Sequence, residues 1–343
     1  MAPPSTATVS VSQATAKSLP VIDLSGFGEG DAARDAAVAQ AMQDACEDKG
    51  FFYVVGHGVE PDLIASLRAQ AEAFFSKPLD QKEAVSKDLS ACNRGYERLA
   101  AQTLEKGGSP DQKEGYYIGV EVPETDQRVL AGKFNHGPNQ WPADMPAFRQ
   151  TADAYFETML AFGTKLMQAM ALSLDLPRDY FAGFTADPMC TLRLLHYPPQ
   201  RPNAEPDEKG CGAHTDFGGL TLLWQDEVGG LEVLDEEGWI PAPPIEGAFN
   251  VNLGDMIQRW TNGRYRSTLH RVINRSGRER YSIPFFYTGN PDHEVRCIET
   301  CLAPGETPAH PPITVSEHLQ AMYRQTYAQG PDRNAAHRQE VSP

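Results

Sequence analysis

The stretch HTDFGGLTLLWQDEVGGLEVL, residues 214–234, combines two short apolar runs with a glycine turn between them. LTLLWQ and LEVL have the length and β-branched or aromatic content of strands, and the Gly229-Gly230 pair suits a tight turn. Comparable runs recur on both sides of it, namely TLRLLHY, WIPAPP, AFNVNLGD, STLHRVIN and RYSIPFFY. Many short strands separated by turn signals indicate an antiparallel sandwich or barrel, which we expect over residues 189–315.

The chain before this β-rich region is dominated by helical patterns. LPVIDLSGF (19–27) and FFYVVGHGV (51–59) are typical of strands. Apolar residues at helical spacing predict helices at about 31–49, 61–76 and 146–174, with a last one near 316–328. The predicted fold class is therefore α+β. A helix-rich region (19–188) supports the β core (189–315), and a C-terminal helix and polar tail (316–343) follow.

Composition excludes several classes of partner. The 343 residues carry 30 basic and 46 acidic side chains, a formal charge of -16. Such a surface repels phosphate backbones and anionic lipids, so we expect neither nucleic-acid nor membrane binding. No apolar run approaches the roughly 20 residues that span a bilayer. The polar residues 1–18 lack the apolar block of a secretory signal and are expected to form a disordered arm.

Cysteine usage points to a reducing compartment. The six cysteines are scattered through a long chain and do not form the framework of a disulfide-stapled domain. Cys297 and Cys301 are spaced closely enough for a metal or redox pair, but no second pair accompanies them. We expect all six to be reduced packing residues in a cytoplasmic protein.

Three side chains form a candidate metal site. His214 and Asp216 are two apart on a predicted strand and therefore share a face, while His270 lies on a separate predicted strand. Two imidazoles and one carboxylate leave coordination positions open, which suits iron(II), whereas structural zinc is closed by four protein ligands. The alternative interpretation is a loop motif with a hydrogen-bonded core histidine.

An Arg-x-Ser pair follows on the next predicted strand. Arg280 and Ser282 share one strand face, and a guanidinium with a nearby hydroxyl can hold a carboxylate. An anion site beside an open-sided iron suits a 2-oxoglutarate cosubstrate. The alternative is a surface arginine on a hairpin, because Arg275 and Arg278 crowd the same turn.

Taken together, these motifs resemble the isopenicillin N synthase-like family of iron(II)/2-oxoglutarate dioxygenases. The resemblance extends over roughly 19–328 and includes LPVIDLS, the GFF…HG segment, RGYE, NQWP, LRLLHYPP, the HTD segment and RYSIPFF. It implies a double-stranded β-helix (jelly-roll) core. It also implies iron ligation by His214, Asp216 and His270, and cosubstrate binding by Arg280, Ser282 and Tyr197. Plant members commonly carry asparagine two residues before that tyrosine, where this chain has Leu195.

The expected function is Fe(II)- and 2-oxoglutarate-dependent hydroxylation, or related oxidation, of a small organic molecule. O2 is consumed, succinate and CO2 are released, and ascorbate is the expected reductant in vitro. The alternatives are an iron oxidase that uses no 2-oxoglutarate, fragmentation of 2-oxoglutarate to ethylene, and a non-catalytic metal or 2-oxoglutarate sensor. The substrate and the oligomeric state stay open. Candidates for the substrate pocket are the loop around Arg94, Gly95 and Tyr96, and the residues Tyr116, Tyr117, Phe217, Phe285 and Phe286. The alternative for the aromatic residues is packing in the core.

Overall fold

A computed structural model describes residues 18–200, 204–205 and 208–327, which form 14 strands and eight α-helices. The predicted disordered arm, apart from Ser18, and the polar tail beyond Tyr327 lie outside the described residues. The helices are α1 Ala32–Asp48, α2 Pro61–Phe75, α3 Leu79–Glu83, α4 Gln127–Leu130, α5 Pro146–Ser173, α6 Ala182–Thr185, α7 Asp255–Trp260 and α8 Val315–Tyr327.

The strands fall into one large sheet, one smaller sheet and a two-stranded ladder. They are β1 Val21–Asp23, β2 Phe51–Val55, β3 Gly95–Glu97, β4 Glu114–Gly119, β5 Cys190–Tyr197, β6 Cys211–His214, β7 Leu220–Gln225, β8 Leu231–Asp235, β9 Gly238–Pro241, β10 Phe249–Leu253, β11 His270–Val272, β12 Arg280–Tyr287, β13 Glu294–Val295 and β14 Ile313–Thr314. The large sheet has the order β1-β2-β10-β7-β12-β5-β4-β3, and the smaller one β6-β11-β8-β9.

The two main sheets face each other and enclose a core of their own. Phe51, Tyr53 and Leu195 of the large sheet pack with Leu231 and Val233 of the small sheet in one buried apolar cluster. Apart from the parallel β1–β2 pair, the described ladders are antiparallel. This sandwich confirms the predicted α+β class with a jelly-roll core.

The outer face of the large sheet packs on the helices. Along β12, Tyr281, Ile283 and Phe285 belong to the main core, and the Phe285 ring lies 5.0 Å from Phe156 of α5. Because side chains alternate across a strand, Arg280 and Ser282 then point into the sandwich. The helices therefore occupy the apolar face of the large sheet and leave its polar face for the site.

The HTD segment differs from the prediction. His214 ends β6 rather than heading the LTLLWQ strand, which begins only at Leu220. The intervening backbone is bonded to the start of α7: the Asp255 N–H donates to the Asp216 carbonyl at 2.7 Å, and the Gly254 N–H to the Gly219 carbonyl at 2.9 Å. These bonds replace strand pairing, so the link turns between the two sheets.

The six cysteines are free thiols, four of them buried and two half-buried. Cys297 and Cys301 therefore form no disulfide in the structure. No helix in the described ranges is both long enough and apolar enough to cross a membrane.

Gly163 sets the distance between α5 and the large sheet. A Cβ added there would lie 2.2 Å from Cδ2 of Tyr287, so the helix approaches the ring too closely for any side chain. In an ordinary helix interior, Gly→Ala stabilises by about 0.5–1 kcal/mol. At this position we expect Gly163→Ala to destabilise by about 1–3 kcal/mol, the usual cost of overpacking.

Urea denaturation measures this effect. Glu157→Ala, at an exposed position of the same helix, is the control and should change stability by less than about 0.5 kcal/mol. A stabilised Gly163→Ala variant would show that α5 can move away from Tyr287 at little cost.

Candidate metal centre and anion site

His214, Asp216 and His270 meet at the interface of the two sheets. One ligand atom from each lies within 4.8 Å of the others. The Nε2 atoms of His214 and His270 lie 3.7 and 3.8 Å from the Asp216 carboxylate oxygens. His214 and His270 are direct cross-strand partners on β6 and β11, which fixes their common side of the sheet. The tertiary structure thus brings together the three predicted residues.

The other ring nitrogen of each histidine is bonded to the backbone. His214 Nδ1 lies 2.8 Å from the Gly212 carbonyl, and His270 Nδ1 lies 3.1 Å from the Thr268 carbonyl. A carbonyl accepts but does not donate, so each Nδ1 carries the proton. The Nε2 lone pairs of both neutral imidazoles are then available to a metal ion.

The Asp216 carboxylate is held by two side chains that belong to neither the HTD nor the Arg-x-Ser motif. Thr221 Oγ1 and Asn252 Nδ2 donate to Asp216 Oδ2 at 2.5 and 2.7 Å. Two asparagines, Asn250 and Asn252, alternate with apolar residues along the buried strand β10, and this pattern is the signal that could have identified Asn252. Oδ1 is not used by these bonds and faces His214.

The protonation states of these three side chains match what a metal needs. Burial lowers the pKa of His214, and burial together with the adjacent His214 lowers the pKa of His270 to about 4. Burial by itself would raise the pKa of Asp216, but the two histidines and the bonds from Asn252 and Thr221 lower it. At neutral pH the centre therefore offers two neutral imidazoles and one carboxylate, a donor set that fits Fe(II).

Other histidines are occupied elsewhere. His57 Nε2 lies 3.1 Å from the Gly247 carbonyl, and His136 Nδ1 lies 2.9 Å from the Phe134 carbonyl. His196 points away from the sandwich, as strand alternation predicts, and contacts Glu114 at 2.8 Å.

The Arg280 side chain is fully buried inside the sandwich. Its Nη1 donates to Ser282 Oγ at 3.1 Å, its Nη2 to Gln225 Oε1 at 3.3 Å, and its Nε to the Gly229 carbonyl. No ion pair joins this guanidinium to a carboxylate of the described residues. The buried Asp226 carboxylate interacts with this guanidinium electrostatically but does not pair with it. A buried cation without a paired carboxylate is costly, so the arrangement favours an anionic ligand here.

Tyr197 lies beneath this guanidinium. Arg280 Cζ is 4.6 Å from the centre of the Tyr197 ring, and the two residues are cross-strand partners. Leu195 is the partner of Ser282 and belongs to the apolar cluster between the sheets. The position that carries asparagine in plant members is thus an apolar wall beside the anion site.

The loop before β4 clamps the strand that carries His214. Because β6 is an edge strand, one row of its N–H groups has no strand partner. The Gly212 N–H donates to Asp111 Oδ1 at 2.8 Å, and the Ala213 N–H donates to a Glu105 carboxylate oxygen at 3.2 Å. The other Asp111 oxygen pairs with Lys113, and both side chains are almost fully buried. A buried ion pair therefore holds the N–H of Gly212, the residue whose carbonyl orients His214.

The aromatic pocket candidates divide between the two faces of the large sheet. Tyr96, Tyr116 and Phe285 belong to the main core against the helices, so their proposed place in the pocket is wrong. Tyr117 and Phe286 lie on the opposite face, inside the sandwich, because neighbouring positions on a strand alternate. Phe217 follows Asp216 directly and is half-buried.

Comparison with known proteins gives consistent matches over most of the chain. The family model for the non-haem dioxygenase in morphine synthesis N-terminal region matches residues 19–144. The model for the 2OG-Fe(II) oxygenase superfamily matches residues 188–289. The 2-oxoglutarate-Fe(II) type oxidoreductase hxnY of Emericella nidulans is 45% identical over 316 residues, with 90% of each chain covered.

Solved structures agree in fold. A full-length Neurospora crassa protein in complex with alpha-KG and thymine superposes with a TM-score of 0.79 at 29% identity, covering 90% of this chain and 97% of that one. A 2OG-Fe(II) oxygenase family protein from Caulobacter crescentus superposes with a TM-score of 0.78 at 31% identity, covering 90% and 99%.

We expect the Asp111 clamp to control metal affinity. Asp111→Ala removes the acceptor of the Gly212 N–H and leaves Lys113 buried without its carboxylate. Breaking a buried pair costs about 3–5 kcal/mol of stability. Losing an outer-sphere partner of a ligand typically weakens metal binding about 10–100-fold. Urea denaturation and calorimetric titration with Mn(II) measure the two effects.

The double variant Asp111→Asn with Lys113→Met is the matched control. It removes both charges but retains an oxygen that can accept from Gly212, so it should bind Mn(II) close to wild type. Wild-type affinity in Asp111→Ala would show that the clamp has no influence on His214.

Proposed function

Since this chain belongs to the 2OG-Fe(II) oxygenase superfamily, we propose that His214, Asp216 and His270 hold its iron and that Arg280, Ser282 and Tyr197 hold 2-oxoglutarate. The observation that carries the proposal is the convergence of two imidazoles and one carboxylate within 4.8 Å, with both imidazoles oriented by carbonyls. The enzyme is an Fe(II)- and 2-oxoglutarate-dependent oxidoreductase that acts on a small molecule with O2.

When bound, the iron supplies O2 activation coupled to decarboxylation of 2-oxoglutarate, which yields succinate and CO2. The protein contributes position and charge. Asn252 and Thr221 fix the Asp216 carboxylate, and the carbonyls of Gly212 and Thr268 fix the two rings. Because these partners are part of the folded protein, the three ligands are oriented before a metal binds.

The anion site supports binding of 2-oxoglutarate through one of its carboxylates. A carboxylate bound to Arg280 meets the positive charge of a guanidinium and the adjacent Ser282 hydroxyl, and the Tyr197 ring supports the guanidinium from below. Gly229 and Gln225 hold Arg280 from the side, so the planar group keeps one orientation. Such preorganisation lowers the entropy that binding would otherwise cost.

The alternatives to this function receive no support from the relatives described above. A 2-oxoglutarate-independent oxidase would use Arg280 for its own substrate, but the Emericella nidulans relative is named for 2-oxoglutarate.

We also propose the division into residues 19–188, 189–315 and 316–343, and cytoplasmic localisation. The family boundaries support the former and the six free thiols the latter.

Asp216→Ala and His270→Ala should each abolish tight Fe(II) binding and succinate formation while the chain stays folded. Even outer-sphere losses cost about 10–100-fold in affinity, so removal of a ligand should exceed about 100-fold. Anaerobic Fe(II) titration and succinate release are the measurements, with ascorbate present in the turnover assay.

His136→Ala is the control for these variants because its ring contacts only a loop carbonyl, and it should bind Fe(II) like wild type. Full Fe(II) affinity in either ligand variant would refute the proposed centre.

Arg280→Gln should weaken 2-oxoglutarate binding by about 2–5 kcal/mol because it removes the buried charge. Ser282→Ala removes one charge-assisted hydrogen bond and should cost about 1.5–3 kcal/mol. Arg280→Lys should fall between wild type and Arg280→Gln, because it keeps the charge but loses the planar fork. The measurement is an anaerobic titration of the iron–2-oxoglutarate charge-transfer absorption.

Fe(II) affinity without cosubstrate should be unchanged in all three variants. If wild type shows no charge-transfer band, the oxidase alternative gains support. If Arg280→Gln titrates like wild type, another basic residue holds the carboxylate.

A further inference from the structure

The link between β6 and β7, residues 215–219, carries the ligand Asp216 but belongs to no strand. Gly218 and Gly219 lie in it, so its backbone has more conformational freedom than a link of larger residues would have. A ligand on such a segment keeps one orientation only if groups outside the segment hold its backbone. The contacts of this link therefore determine how rigidly Asp216 is presented to a metal.

Helix α7 holds the link from one side. The Asp255 N–H donates to the Asp216 carbonyl at 2.7 Å, and Thr215 Oγ1 donates to Asp255 Oδ2 at 3.0 Å. A Cβ added to Gly254 would lie 2.2 Å from the Gly218 carbonyl oxygen, so the start of α7 lies directly against the link. These contacts fix the peptide unit that follows Asp216.

Helix α8, from the C-terminal part of the chain, holds the next peptide unit. His318 Nε2 lies 2.9 Å from the Phe217 carbonyl, 101 residues away in sequence. A carbonyl only accepts, so Nε2 carries the proton and donates it to this bond. Burial lowers the pKa of His318, so at neutral pH the ring is neutral and contributes a hydrogen bond rather than a charge. The successive carbonyls of Asp216 and Phe217 are thus bonded to two different helices.

The position of His318 is itself fixed by the rest of the fold. The residue is 6% exposed, and Val315 at the start of the same helix is buried in the main core. The Val315 N–H donates to the His293 carbonyl at 3.0 Å. The Ser316 N–H donates to the Pro291 carbonyl at 2.9 Å. Because the donor is anchored in this way, its bond restrains the link instead of following it.

We propose that His318 is a positioning residue for the metal ligand Asp216, so the C-terminal helix takes part in building the metal centre. The inference rests on the proposed function, because it concerns the same centre. Asn252 and Thr221 hold the end of the Asp216 carboxylate, whereas α7 and His318 hold the backbone from which it branches. Without the bond from His318, Phe217 and the two glycines can move, and the peptide unit of Asp216 then depends on α7 alone.

Two variants of His318 test the proposal through metal affinity. His318→Leu removes the donor at similar side-chain size, whereas His318→Gln retains an N–H at comparable reach. Calorimetric titration of the full chain should show Mn(II) binding about 3–10-fold weaker in His318→Leu, because the effect on the ligand cannot exceed what one neutral hydrogen bond contributes. His318→Gln should bind Mn(II) within about twofold of wild type, because the bond is kept.

Hydrogen exchange of the metal-free full chain reports the link directly. The amides of Asp255 and Gly254 are bonded to the link carbonyls of Asp216 and Gly219 at 2.7 and 2.9 Å. Both amides should exchange faster in His318→Leu and at the wild-type rate in His318→Gln, because opening of the link breaks their bonds. Amides in the middle of α5 should exchange as in wild type in both variants, which shows that the chain is folded.

His310→Leu is the matched control. His310 lines the same surface groove as His318 but is exposed, on the loop before β14. This variant should keep the wild-type Mn(II) affinity and the wild-type exchange.

Four outcomes would contradict the inference. Wild-type Mn(II) affinity in His318→Leu, with or without faster exchange, would show that the bond does not influence the ligand. Equal losses in His318→Leu and His318→Gln would show that the shape of the ring matters and not its hydrogen bond. An equal loss in His310→Leu would assign the effect to the groove as a whole. Absence of Mn(II) binding in wild type would instead remove the proposed centre, and the inference with it.

Discussion

The alternation of side chains across the large sheet is the constraint on which the rest of this structure depends. One face of β12 and β5 packs apolar residues on the helices, and the other presents charged and polar groups to the interior of the sandwich. A shift by one residue would bury Arg280 and Arg193 against α5 and open the core to the cavity. The packing of the helices and the chemistry of the site are thus two consequences of one register.

A charged side chain inside a protein needs hydrogen-bond or ion-pair partners. A buried charge whose partners all come from the protein has a structural role, whereas one that lacks a paired counter-charge is a candidate for ligand binding. Glu114, on the helix side, accepts from Lys82, Tyr96 and His196 at 2.6–2.8 Å, so its carboxylate is fully satisfied. Asp111 and Lys113 also satisfy each other. Arg280 instead donates hydrogen bonds only to neutral groups among the described residues and forms no ion pair with the nearby Asp226 carboxylate, so an anionic ligand can complete its set of partners.

The metal centre lies at an edge strand and the link that follows it, where strand pairing holds the backbone on one side only or not at all. His214 ends an edge strand, and Asp216 lies in the link that crosses between the sheets. Edge strands fray unless other groups hold them, and here the carboxylates of Glu105 and Asp111 cap the free N–H groups. A loop far from the metal in sequence therefore contributes to the orientation of its ligand.

Local spacing along the sequence was sufficient to predict much of the secondary structure of this protein. The helical and strand periods predicted α1, α2, α5 and the succession of C-terminal strands, because both periods are properties of a short segment. The pair at 280/282 could be recognised for the same reason, since residues two apart on a strand share a side. The same rule singled out His214 and Asp216, although Asp216 lies outside the strand that His214 ends. The tertiary structure alone decided which elements meet. Asp111 and Gly212, or Glu97 and Arg193, are about a hundred residues apart, and only the strand order brings them together. The place of Asp216 outside a strand was also beyond local spacing, because it follows from bonds to the start of α7.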